Sequence, residues 1–156
     1  MEFKAEYYVV LEALSRGGKT AEEVAEVAGI EVHDAEAILS TLMAYGLVER
    51  REKGLVFRKE GYTLTERGWG VLEKWRHEVR DKLQKAAELR REGLREEADE
   101  LVAPLAPALP ALLAMGMLDM ALYSAALGAA AAAPEEAITE EDTSEVGDFG
   151  VGDDEL

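Results

Sequence analysis

The chain has 156 residues, a formal charge of −16, no cysteine and two histidines. That length holds one domain with a core plus an appendage, and the missing thiols exclude a disulfide framework, a thiolate nucleophile and a Cys-ligated zinc. His33 and His77 stand in no ligand-spaced motif such as HExxH, so neither a metal nor another cofactor is expected.

Phe3, Tyr7, Val10, Leu11 and Leu14 recur at helical spacing before Gly17 and Gly18, which predicts a first helix over Phe3 to Ser15. Thr20 followed by Glu23 forms a capping box, in which each side chain satisfies a backbone N–H of the opening turn. The second helix then carries Val24 and Val27 and stops at Gly29. A third is expected from His33 to Tyr45, with Ala35, Ile38, Leu39 and Leu42 inward and Gly46 closing it. Leu47 to Glu52 reads as a strand, Lys53-Gly54 as a turn, and Leu55 to Lys59 or Tyr62 to Thr65 as the returning strand. Three helices and a hairpin in this order are those of a winged helix.

Thr65 can cap a helix beginning at Glu66, and no proline follows until Pro104. Leu72, Trp75, Val79, Leu83, Ala86, Leu94, Ala98 and Leu101 trace one apolar stripe along it, although the stripe thins between Glu88 and Gly93. An uninterrupted helix of that reach, about 50 Å, exceeds what one small winged helix covers. Pro104, Pro107 and Pro110 break the chain, and Ala111 to Ala133 reads as an apolar helix whose one charge is Asp119. The fold class expected is therefore mainly α with a small β-hairpin wing: a winged helix-turn-helix, a long helix and an apolar C-terminal helix. The divisions are residues 1–80 for the winged helix, 81–133 for a helical dimerisation region, and 134–156 for an acidic tail.

Ala44-Tyr-Gly-Leu-Val-Glu-Arg-Arg resembles the end of a recognition helix and the start of a wing. Tyr62-Thr-Leu-Thr-Glu-Arg-Gly is similar to the strand-to-helix junction of MarR-like and PadR-like transcriptional regulators. The resemblance spans Tyr8 to about Val79. It implies duplex DNA as partner and a homodimer formed through helices outside the wing, so that two winged helices would read a palindromic target.

In a winged helix the third helix enters the major groove. Its outward residues here are His33, Asp34, Glu36, Ala37, Ser40 and Thr41. His33, Ser40 and Thr41 can hydrogen-bond to bases or phosphates, whereas Asp34 and Glu36 repel phosphates. The wing is richer in bases. Arg50, Arg51, Lys53, Arg58, Lys59 and Arg67 face three acids, Glu52, Glu60 and Glu66, and the first five of these bases are the expected phosphate contacts. The competing reading is that exposed strands carry charge to stay soluble and to blunt edge pairing.

Leu72, Trp75, Val79, Leu83, Leu94, Leu101, Leu112, Met115, Leu118 and Leu122 are the residues expected to build the dimer. Trp69 and Trp75 are expected to pack in the core, and His77, among Arg76, Glu78 and Arg80, to lie on a solvated face. A membrane-spanning Ala111–Ala133 segment is disfavoured by Asp119 near its middle.

Between Pro134 and Leu156 there are ten acids and no base, which leaves 23 acids against 17 bases in residues 1–133. Such a tail cannot bury enough apolar surface to fold alone. It is expected to solubilise the chain, or else to compete with DNA for the wing or dock on a basic protein partner, with Phe149 and Val151 as anchors. The start, Met1-Glu-Phe-Lys, has no basic segment followed by an apolar run, and a cytoplasmic location is expected.

No phosphate-binding glycine loop, nucleophile elbow or carboxylate pair with a base stands in the sequence, so no enzymatic activity is expected. The leading expectation is a DNA-binding transcriptional regulator acting as a homodimer. Its rival is a winged helix serving as a protein-interaction module in a transcription, chromatin or ribosome-associated assembly. A membrane-tethered regulator comes third.

Overall fold

The computed structural model describes residues 1–53 and 59–128. Helix α1 (Ala5–Leu14) is buried on nearly every side, as a helix apolar around most of its circumference must be. Helix α2 (Ala21–Ala28) opens with the expected capping box: the Glu23 N–H donates to Thr20 Oγ1 at 3.2 Å and the Thr20 N–H to Glu23 Oε1 at 2.9 Å. Helix α3 (Val32–Ala44) presses Ala35, Leu39 and Leu42 onto the same core.

Strand β1 (Val48–Lys53) pairs antiparallel with β2 (Lys59–Leu64), Val48 opposite Leu64 and Lys53 opposite Lys59. Of the two candidate return strands, Tyr62 to Leu64 lies in β2, as does Lys59 of the other, whose Leu55 to Arg58 lie outside the described residues. A third short partner comes from the link between α1 and α2. There the Lys19 N–H donates to the Tyr62 carbonyl at 3.1 Å and the Tyr62 N–H to the Lys19 carbonyl at 2.8 Å. The described elements up to Leu64 form a winged helix.

The chain crosses itself where the hairpin ends. The Thr65 N–H donates to the Leu47 carbonyl at 3.0 Å, the Thr65 hydroxyl to the Gly46 carbonyl at 2.6 Å, and the Gly68 N–H to Thr65 Oγ1 at 3.0 Å. A Cβ on Gly68 would stand 2.0 Å from the Leu47 carbonyl oxygen, well inside any tolerable contact.

Helix α4 starts at Glu66 as expected but ends at Arg91 rather than near Pro104. Gly93, at φ +83°, turns the backbone out of the helix, and the Leu94 N–H closes the end on the Leu89 carbonyl at 2.8 Å. This left-handed exit is what a C-terminal glycine provides. Helix α5 (Arg95–Val102) then packs back against α4. After a 3₁₀ turn at Ala106–Ala108, the apolar segment divides in two, α6 (Leu109–Ala114) and α7 (Met120–Leu127). Gly116, at φ +73°, ends the first, and the Asp119 carboxylate caps the second by accepting the Ala121 N–H at 2.9 Å. Among the described residues no helix is long and apolar enough to cross a membrane.

These breaks let α5 and α7 cover α4. Arg90 holds the layer together, its Nε donating to the Ala126 carbonyl at 2.6 Å and its Nη2 pairing with Asp99. One continuous core runs from Ala5 to Ala126, so the described part of residues 81–133 packs with the winged helix as one body. Leu72, Trp75, Val79, Leu83, Leu112 and Met115 are buried within it. Six of the residues expected at a dimer interface are therefore internal, because α1 and the folded-back helices supply the cover that a partner was expected to give. Leu101, Leu118 and Leu122 are half-buried and Leu94 is exposed. Trp75 stacks edge-on to Phe3 at 5.1 Å, whereas Trp69 is 41% exposed and does not join the core.

One ion pair joins α1 to α4. Glu12, 1% exposed, accepts two bonds from Arg76, Nε to Oε2 and Nη2 to Oε1, both 2.9 Å. Burial, followed by the Glu12 charge and hydrogen bond, pushes the Tyr8 hydroxyl far above its ordinary pKa. The Glu12 hydrogen bond likewise raises Arg76.

Two outcomes follow. Gly68→Ala should lower unfolding free energy by roughly 1–3 kcal/mol through forced displacement of the Leu47 backbone, read from the urea midpoint at unchanged slope. Because Tyr8 keeps its proton when folded and releases it near pH 10 when unfolded, its contribution is complete below about pH 10 and lost as the pH rises beyond. Tyr8→Phe should thus be less stable at pH 8 yet show a shallower alkaline decline in pH-resolved thermal melts.

Candidate nucleic-acid interface

Helix α3 presents His33, Asp34, Glu36, Ala37 and Ser40 to solvent, with Val32 at its start and Tyr45 just past its end also exposed. Thr41 is half-buried, and its hydroxyl donates to the Ala37 carbonyl at 3.1 Å. That internal bond occupies the only proton Thr41 could offer a base or phosphate. The α3 surface thus keeps two of the three expected donors, His33 and Ser40, beside two carboxylates.

The hairpin register sorts its charges by face, since directly paired residues lie on the same side of a sheet. Val48, Arg50 and Glu52 lie on one face with Leu64 and Tyr62; Glu49 and Arg51 lie on the other with Thr63 and Gly61, and beyond them the register pairs Lys53 with Lys59. Bases therefore follow one another toward the far end of the ladder, where Arg51 precedes the Lys53–Lys59 pair. Arg51 is well exposed and contacts Glu49 at 3.4 Å, an ion pair that costs little to open in water. The Arg50 guanidinium lies 5.9 Å from the Tyr62 ring centre, close enough for a cation–π contact. Arg58 lies outside the described residues, as does the acidic tail at 134–156.

Two further bases escaped the sequence reading as site candidates. Lys19 joins the hairpin through its backbone, a long-range pairing that no local pattern announces. Arg67 was counted with the wing but not chosen as a contact; it is exposed in the first turn of α4 near Gly46. His77 is exposed and meets only Asp81, at 3.3 Å, among the described residues, which agrees with a solvated face. Among the described residues no cluster of His, Asp or Glu could hold a metal ion.

Residues 2–65 match the family model of the sugar-specific transcriptional regulator TrmB. The matched segment is a winged helix of transcription-regulator type. It corresponds to α1 through the Thr65 cap, and the match supports a winged-helix transcription regulator without supporting the MarR-like or PadR-like subtype expected from the sequence. The residues that carried that resemblance, Gly46, Thr65 and Gly68, serve the hairpin crossing and so mark the fold more than a subtype. Residues 66–128 lie beyond the TrmB match. No curated protein matches the chain.

Thr65 aims the hairpin by bonding both Gly46 and Gly68. Thr65→Ala should cost about 1–2 kcal/mol in thermal unfolding and should raise amide exchange selectively in β1 and β2.

Proposed function

We propose that the chain is a DNA-binding transcriptional regulator in which the hairpin, rather than α3, supplies most of the affinity. The run of bases along the hairpin ladder, Arg51 followed by the Lys53–Lys59 pair, carries this reading. Lysine and arginine neutralise phosphates and release counterions, giving affinity largely independent of sequence, while α3 offers only His33 and Ser40 for base contacts. The TrmB match at residues 2–65 supports regulation of transcription, and such a role points to the cytoplasm and away from catalysis. A homodimer remains part of the proposal on a smaller surface than the sequence implied, one that includes Leu94 and Leu101.

The exposed, base-free surface of α3, with Val32 and Tyr45 flanking its acids, favours a second reading as a protein-interaction module.

Fluorescence anisotropy with duplex DNA distinguishes the two. Under the first reading the protein binds at low salt, and neutralising Arg50, Arg51, Lys53, Arg58 and Lys59 removes binding, whereas Ser40→Ala changes sequence preference alone. Each lost phosphate contact should reduce the log–log salt slope by about 1. No affinity of the unmodified chain at low salt overturns the regulator reading. Light scattering tests the dimer, which fails if the mass equals one chain at micromolar concentration.

A further inference from the structure

A cleft of about 580 Å³ opens between α1, α4 and the α6–α7 turn, within the size range of small-molecule sites. Its accessible apolar wall is made by half-buried Met117, Leu118 and Leu122, with Leu83 and Leu112 buried behind it. Most of the polar groups at its surface are already matched. Glu12 is held by Arg76 and Tyr8, and the Asp119 carboxylate caps α7. Arg80 and Gln84 differ. They stand one helical turn apart on α4, exposed on the cleft wall, and such a spacing places side chains on one face. Among the described residues neither has a hydrogen bond or an ion pair.

We propose that this cleft binds a small amphiphilic carboxylate, its apolar body against Met117, Leu118 and Leu122 and its carboxylate on the Arg80 guanidinium beside the Gln84 amide. A guanidinium and a primary amide both donate N–H groups, and charge-assisted bonds of this kind are the stronger class. The geometry also limits the ligand. The Asp119 carboxylate at the cleft repels additional negative charge, so a monoanion suits it better than a polyanion. Glu12 adds little repulsion, because Arg76 neutralises it at 2.9 Å.

The site is independent of DNA binding, and its test uses none. Sodium octanoate and 1-octanol are titrated separately into the ¹⁵N-labelled full chain. Octanoate should shift amides of residues 76–84 and 112–122 saturably, with octanol about tenfold weaker for want of the charge. Arg80→Gln, at an exposed position where folding is insensitive, should weaken octanoate about tenfold and leave octanol unchanged. Leu118→Glu should weaken both ligands. Absence of saturable octanoate shifts, equal affinity for acid and alcohol, or an Arg80→Gln variant that binds octanoate as well as the parent each overturns the proposal.

Discussion

Where the chain leaves the hairpin it passes over Leu47 so closely that residue 68 can carry only a hydrogen on its Cα. Around that contact, Thr65 bonds backward to Gly46 and Leu47 and forward to Gly68. Three elements meet there: the end of α3, the first strand of the hairpin and the start of α4. The hairpin cannot change its angle to α3 without lifting α4, and α4 is fixed along its length by α1, α5 and α7. The attitude of the basic strands beside α3 is thus set by a backbone approach, with the rest of the molecule as ballast.

Local chemistry announced the winged helix well. Thr20 with Glu23, Gly46, and Thr65 before Gly68 are short-range signals, each of which does what its residue type does best. The parts that could not be read depend on distant pairing. Lys19 is a strand partner only because Tyr62 comes to meet it. Gly93 lies within a stripe that continues in phase through Leu94, Ala98 and Leu101, and periodicity alone cannot separate one long helix from two that fold together. The site was legible to a similar degree. Arg51 is exposed as a wing base would be, while the hydroxyl of Thr41 turned inward to Ala37, a choice of rotamer that sequence does not reveal.

The folded-back helices change the economy of the whole chain. A bare α4 would have shown Leu72, Val79 and Leu83 to a partner; covered by α1, α5 and α7, it shows mainly polar residues. The cover also creates the cleft, because α6 and α7 meet α1 and α4 at a gap instead of closing over the Tyr8–Glu12–Arg76 group. That group explains why a glutamate sits at 1% exposure among the apolar residues that α1 buries. Removing Arg76 alone would leave a buried charge without a counterion, a costlier state than losing the pair together.

Asp119 discriminates between two environments. In hydrocarbon its carboxylate would cost about 3 kcal/mol at mid-depth on insertion scales, while in the folded chain it satisfies the Ala121 N–H at the opening of α7. The one charged side chain in the run from Ala111 to Ala133 both penalises the environment the segment resembles and begins the helix that it forms. The address of the segment and its folding are thereby written in a single residue.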